Sequence, residues 1–165
     1  MGEIVVKGNV VAKGYLLNEQ GTNEAFGGGV FRTGDIGTLN PDGRVQIKDR
    51  SKDIIISGGE NICSIGVENI LQAHPEIQEV AVVAEQHPHW GEVPVAFVKL
   101  RSSVKEEEIL AWARDRIAHF MAPKKIIPLT ELPRTSTGKV QKHLLRNMLK
   151  SSLVVAAIIV AAKSL

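Results

Sequence analysis

The sequence has little cysteine, little net charge and no long apolar run. Cys63 is the only cysteine, so no disulfide can form within the chain, and a reducing compartment is the simplest expectation. The formal net charge is only +2 over 165 residues, with scattered lysines and arginines, which argues against a nucleic-acid-binding protein. The most apolar run, Leu153 to Ala162, is about half of what a membrane span needs, so we expect it to pack against another surface.

Turn residues divide the chain into short strands and helices. The sequence Asn40-Pro41-Asp42-Gly43 predicts a hairpin turn, and the apolar runs DIIIS, EVAVVAE and VPVAFVKL predict strands. Apolar spacing predicts helices from about Ser64, over 105–120 and over 141–150. This mixture predicts an α/β or α+β fold with a boundary near residue 50. Residues 1–50 contain too few strands to bury a core of their own, so we interpret them as the end of a larger domain.

The sequence LPRTSTGKV at residues 132–140 has the general look of a phosphate-binding loop. The P-loop motif needs a glycine where Pro133 stands and a serine or threonine where Val140 stands. Proline has no N–H to offer a phosphate, and valine cannot hold magnesium. The P-loop is therefore excluded, and Lys139 needs another explanation.

Four stretches together resemble the adenylate-forming acyl-CoA synthetases, the superfamily that includes the 4-coumarate–CoA ligases. They are FRTGD at 31–35, DRSKDIIISGGENI at 49–62, HWGEVPVAFV at 89–98 and LPRTSTGK at 132–139, in matching order and spacing. The nearest likeness is to plant-type acyl-activating enzymes. The resemblance implies an α+β fold: a small mixed-sheet C-terminal lid domain with about three helices over 51–150. A β-rich remnant of the large AMP-binding domain would precede it over 1–50, and an apolar tail would follow over 151–165.

The resemblance also implies a two-step reaction. A carboxylic acid attacks the α-phosphate of ATP to give an acyl-adenylate, and CoA then displaces AMP; magnesium would come with ATP. The family's Ser/Thr/Gly-rich phosphate loop and acyl pocket have no counterpart in this sequence, and GTNEAFGGG does not replace the loop. We therefore expect the chain alone to make no acyl-CoA, and an intact synthetase large domain is the expected macromolecular partner.

Four residues match the family's nucleotide and hinge positions. The resemblance assigns Lys139 to stabilising the negative charge that develops during adenylation, and Asp35 to accepting hydrogen bonds from the ribose hydroxyls. It assigns Arg50 to contacting the nucleotide near the domain junction, and Lys52 to the hinge. Residue chemistry alone also fits a turn aspartate, a surface ion pair and solvated lysines at these positions.

Three further residues match the family's CoA passage. Gly58 and Gly59 would line the path of the pantetheine arm, and Trp90 would stack on the adenine. A plain turn and a core tryptophan are the alternatives. His87 and His89 have no carboxylate or cysteine cluster beside them, so no metal site is predicted.

Two other functions fit the same sequence. One is a non-catalytic lid module that binds CoA or docks on an intact synthetase. The other is a fragment of a peptide synthetase adenylation domain, which the GGENI and HWGE stretches disfavour. The final Lys-Ser-Leu is a scrambled form of the peroxisomal Ser-Lys-Leu signal, so we expect a peroxisomal or cytoplasmic location without reading it as an address.

Overall fold

A computed structural model describes residues 1–151 and divides the chain into two compact units, with the boundary between Lys52 and Asp53. The first unit is built on three antiparallel strands, in the spatial order β1-β2-β3. These are β1 (Gly2–Val6), β2 (Phe31–Leu39) and β3 (Val45–Arg50). The predicted turn joins β2 to β3, where the Gly43 N–H donates to the Asn40 carbonyl at 2.9 Å.

The first unit also contains a helix, α1 (Glu19–Phe26), where the sequence predicted only β structure. Asn18 caps it, because its side-chain oxygen accepts a hydrogen bond from the Gly21 N–H at 2.8 Å. The helix buries none of its residues and includes a glycine, so neither apolar spacing nor helix propensity could have indicated it.

The second unit is built on a five-stranded mixed sheet. Strand β7 is antiparallel to β6 along one edge; along the other it meets β4 antiparallel at Gly91 and β8 in parallel over Val95 to Val98. Strand β5 extends the sheet beyond β4. The strands are β4 (Ile55–Ser57), β5 (Glu60–Ile62), β6 (Ile77–His87), β7 (Gly91–Leu100) and β8 (Lys125–Pro128).

Helices cover both faces of this sheet. Val82 and Ala96 belong to a core cluster with residues of α2 (Ser64–Gln72) and α3 (Glu106–Arg114). Val83 and Phe97 belong to a second cluster with Leu145 of α4 (Lys142–Lys150). A strand buried on both faces has a continuous apolar sequence, which explains the runs in β6 and β7. The predicted mixed-sheet domain with about three helices is confirmed.

The second predicted helix, over 105–120, is longer than the helix that the structure contains. Helix α3 ends at Arg114, and residues 115–121 form turns. Ile117 and Met121 still pack against the first core cluster, so the apolar spacing continues although the helix does not. Among the residues described, no helix is long and apolar enough to cross a membrane. The apolar run Leu153 to Ala162 and the final Lys-Ser-Leu lie outside the described residues.

Candidate active site and coenzyme cleft

Lys139 lies at the end of a tight turn that connects β8 to α4. We call residues 133–140 the lysine turn. Within it the Gly138 N–H donates to the Thr135 carbonyl at 2.9 Å, and the Lys139 N–H donates to Thr135 Oγ1 at 3.1 Å. Gly138 has a φ of +84°, a left-handed conformation that glycine adopts without steric cost. The small hydroxyl and glycine residues therefore give this turn its shape.

Both ends of the lysine turn are attached to the domain. Leu132 precedes it and Leu145 follows it, and both are buried in the second core cluster with Phe97. The backbone N–H of Gln141 donates to the Pro133 carbonyl at 2.8 Å, and its side-chain amide donates to the Arg134 carbonyl at 2.7 Å. The turn thus projects from a closed, hydrogen-bonded base.

The ammonium of Lys139 is not held by this base. Lys139 is exposed, and its ammonium makes no hydrogen bond or ion pair with any residue from 1 to 151. The structure therefore places an exposed positive charge on a turn that is held at both ends.

Gly58 and Gly59 form the two-residue loop of the hairpin between β4 and β5. Their φ values are +58° and +87°, the pattern of a type I′ turn, in which both central residues are left-handed. The Gly58 N–H donates to the Trp90 carbonyl at 2.8 Å. A Cβ on Gly58 would lie 3.0 Å from the Trp90 ring, so the ring covers this glycine closely.

A cavity of about 390 Å³ opens beside this hairpin. We call it the tryptophan cleft; it lies entirely in the second unit and is lined by Ser57, Gly58, Glu60, Trp90, His119, Phe120 and Lys124. Trp90 is about half exposed, and the His89 ring packs edge-to-face against it, with the ring centroids 4.4 Å apart. Gly58, Gly59 and Trp90 were predicted to contact CoA; Gly58 and Trp90 line this cavity, and Gly59 is not among its lining residues. Lys139 is not among its lining residues.

Asp35 and Arg50 are paired in the first unit. They are opposite each other in the antiparallel register of β2 and β3, and Arg50 Nε lies 2.7 Å from Asp35 Oδ1. The structure therefore brings together two residues that the sequence placed in one nucleotide site. The same ion pair is also the structural alternative considered for Arg50.

Lys52 lies in a short 3-10 turn, Ser51–Asp53, and is the last residue of the first unit. Its assignment to a hinge stays a prediction. Among residues 1–151 no three His, Cys, Asp or Glu side chains are grouped so that they could hold a metal ion.

Comparison with known families matches residues 66–139 to the AMP-binding enzyme C-terminal domain. The match ends at Lys139, the residue presented by the lysine turn. Residues 66–139 are an AMP-binding enzyme C-terminal domain.

Relatives of this domain are found among plant CoA ligases. The chain is 48% identical to the peroxisomal benzoate–CoA ligase of Arabidopsis thaliana, over 99% of its own length and 30% of that protein. It is 50% identical to the peroxisomal trans-cinnamate:CoA ligase of Petunia hybrida, over 92% of its own length and 27% of that protein. The chain thus spans about 30% of the length of these relatives, and the predicted resemblance to acyl-CoA ligases is confirmed.

Solved structures show the same arrangement of the AMP-binding C-terminal domain. ATP-bound MatB from Rhodopseudomonas palustris superposes with a TM-score of 0.83 at 37% identity, covering 91% of this chain and 30% of MatB. The o-succinylbenzoate CoA synthetase of Bacillus subtilis, bound to its acyl-adenylate intermediate, gives 0.81 at 38% identity, covering 92% and 30%.

Several residues of the tryptophan cleft were not predicted from the sequence of this domain. His119, Phe120 and Lys124 lie in or near the segment predicted to be a helix, and they reach the cleft because α3 ends early and the chain turns. In the sequence, the feature that could have indicated this part of the cleft is an aromatic residue, Phe120, shortly before Pro123 and Lys124. The structure shows that Phe120 is exposed. Ser57 and Glu60 flank the two glycines, and only the geometry of the hairpin shows that they line the cleft.

Proposed function

We propose that this chain forms the C-terminal part of a ligase that activates a carboxylic acid with ATP and transfers the acyl group to CoA. The family of residues 66–139, the CoA ligases among the relatives and the structural match to a synthetase holding an acyl-adenylate support this proposal.

The observation that carries the proposal is the exposed ammonium of Lys139 on a turn fixed at both ends. During adenylation, negative charge develops around the α-phosphate and the attacking carboxylate oxygen. A preorganised cation placed there stabilises the transition state more than the ground state. Losing one such contact costs about 3–4 kcal/mol, or on the order of a hundredfold or more in rate.

The tryptophan cleft is proposed to receive CoA in the second step. Trp90 lines the cavity and is about half exposed, so its ring would stack on the adenine, worth about 1–3 kcal/mol per base. Lys124 lies on the same cavity and provides a positive charge for a CoA phosphate. The bare backbone at Gly58 and Gly59 leaves room for the pantetheine arm to pass close by.

Asp35 and Arg50 are proposed to contact the nucleotide in the first unit. A carboxylate has about four lone-pair sites, and the bond from Arg50 Nε uses one of them, so Asp35 retains acceptors for ribose hydroxyls. Arg50 would hold the carboxylate in place while it accepts those bonds. Magnesium is proposed to enter with ATP, since magnesium usually binds through substrate phosphates.

A chimeric enzyme tests the two assignments separately. Residues 1–151 would replace the matching part of the Petunia trans-cinnamate:CoA ligase, which is 50% identical. Lys139→Ala should slow pyrophosphate release from ATP and cinnamate by about a hundredfold, yet leave thioester formation from preformed cinnamoyl-adenylate unchanged. Trp90→Ala should leave pyrophosphate release unchanged, slow thioester formation and raise the KM for CoA. Lys105→Ala, which removes another exposed lysine, is the control. Unchanged pyrophosphate release in Lys139→Ala would refute the role of this lysine.

A CoA-binding module is the second candidate function, because the tryptophan cleft lies entirely in the second unit. Titrating CoA into the 165-residue chain by calorimetry tests it. Saturable binding that is lost in Trp90→Ala favours a module that binds CoA without catalysing the reaction alone. The CoA ligases among the relatives favour the acyl-CoA branch over a peptide synthetase fragment.

The names of two relatives indicate a cellular compartment. The benzoate and trans-cinnamate ligases are named as peroxisomal, so we propose a peroxisomal or cytoplasmic location for this chain. A fluorescent protein fused to the N-terminus distinguishes the two, because it leaves the C-terminal residues unaltered.

A further inference from the structure

Arg134 lies at the base of the lysine turn and bridges the turn to the sheet. Its Nη1 donates to the Gly138 carbonyl at 2.5 Å. Its Nη2 lies 2.5 Å from Glu79 Oε2, on β6. One guanidinium thus connects the residue before Lys139 to a strand of the core sheet. A planar guanidinium suits this role because its donors have a fixed relative geometry.

The peptide unit between Gly138 and Lys139 is held at both of its polar atoms. Its carbonyl oxygen accepts from Arg134, and its N–H donates to Thr135 Oγ1 at 3.1 Å. A peptide unit is planar, so fixing both atoms fixes the plane and the direction in which the chain enters Lys139. That direction determines where the Lys139 side chain starts.

We propose that Arg134 and Glu79 are positioning residues for Lys139; this inference rests on the proposed function. Neither residue would touch the nucleotide. Glu79 is a residue of strand β6, and Arg134 links its carboxylate to the Gly138 carbonyl. This link would fix the direction in which the Lys139 side chain leaves the turn. Misplacing a reacting or stabilising group by about 1 Å can cost about a hundredfold in rate, so the effect of such aiming is measurable.

The chain itself offers a matched control for the Glu79–Arg134 pair. Glu85 is on the same strand and pairs with Lys125 at 2.7 Å. The exposed fractions are similar: 22% and 53% for Glu85 and Lys125, against 25% and 41% for Glu79 and Arg134. The Glu85 pair ends on β8, and its only side-chain hydrogen bond or ion pair within residues 1–151 is the one between Lys125 and Glu85. Removing it changes the charge of β6 in the same way without affecting the turn.

The first measurement uses the full 165-residue chain and needs no activity. Amide hydrogen exchange is followed by NMR in Arg134→Met, Glu79→Gln and Glu85→Gln. We expect exchange at Gly138 and Lys139 to be about tenfold faster in the first two variants, because their turn is no longer held, and unchanged in Glu85→Gln. Exchange in β6 should stay the same in all three. Unchanged exchange at Gly138 and Lys139 in Arg134→Met overturns the inference, whatever the chain's function is.

The second measurement uses the chimeric ligase and separates the inference from the proposed function. Arg134→Met and Glu79→Gln should lower kcat for adenylation by about tenfold, with little change in the KM for ATP and none in thioester formation. Unchanged adenylation in these variants, in a chimera that loses adenylation with Lys139→Ala, refutes the positioning role and leaves the proposed function intact. If Lys139→Ala itself has no effect, the proposed function fails and the aiming of a catalytic lysine fails with it.

Discussion

Replacing Lys142 with methionine should destabilise the second unit by about 2 kcal/mol. Lys142 begins α4, and its Nζ lies 2.7 Å from Glu68 Oε1 and 2.7 Å from Ser64 Oγ, both on α2. The same Glu68 oxygen accepts from the Val82 N–H at 2.8 Å. A single ammonium therefore links α4, which follows the lysine turn, to the helix on the opposite face of the sheet.

The burial of this pair sets the magnitude. Only 16% of the Lys142 side chain and 19% of the Glu68 side chain are exposed. Exposed ion pairs contribute about 0–1 kcal/mol, whereas removing one partner of a buried pair costs about 3–5 kcal/mol. A largely but not completely buried pair lies between these limits, hence about 2 kcal/mol. Methionine preserves most of the apolar stem, so the loss reports on the charge and its hydrogen bonds.

Urea unfolding, monitored by tryptophan fluorescence, measures the stability of the second unit. Trp90 and Trp112 are the only tryptophans in the sequence, and both belong to the second unit. With a urea slope of about 1.5 kcal/mol/M, Lys142→Met should lower the midpoint by about 1.3 M. Lys125→Met removes the more exposed pair with Glu85 and should lower it by less than about 0.7 M. Equal shifts in the two variants would show that burial does not control the strength of these pairs.

Two glycine substitutions have opposite expected effects. Gly66→Ala should stabilise the second unit by about 0.5–1 kcal/mol in the same urea assay, because Gly66 lies within α2 and an added Cβ meets no atom within 4 Å. Gly58→Ala should destabilise it and weaken CoA binding in the calorimetric titration, because the φ of +58° disfavours alanine and the Cβ would lie 3.0 Å from the Trp90 ring. Gly59→Ala is the control for stability, since its φ is +87° but its surroundings are open; an equal loss of stability in both variants would contradict a role for the ring contact.

The parts of the fold that were predicted are those where burial determines the sequence. Strands β6 and β7 are buried on both faces and have continuous apolar runs, and Asn40 to Gly43 has turn chemistry that few other structures use. Strand β5 has three residues, too few to produce a period, and α1 buries nothing. The end of α3 was missed because apolar spacing continues through the turns after Arg114.

The site shows the same division between local and long-range information. Lys139 and the two glycines at 58 and 59 were predicted as site residues from contiguous motifs, and that assignment stays a prediction. Phe120 and Lys124 reach the cleft from a segment about 30 residues after Trp90, which only the tertiary structure reveals. Pairing of Arg134 with Glu79 spans 55 residues, and no local pattern marks a glutamate on a strand as its partner.

The attachment of the lysine turn also limits how Lys139 can move. A loop that swings by itself has few buried contacts and few hydrogen bonds at its ends. Here Leu132 and Leu145 are buried on either side, and Arg134 and Gln141 tie the base together. If Lys139 approaches a nucleotide, as we propose, we expect the second unit to carry the lysine turn as a whole. The backbone would then rotate at a point outside the turn. The boundary between Lys52 and Asp53 is where such a rotation would break no contact within either sheet.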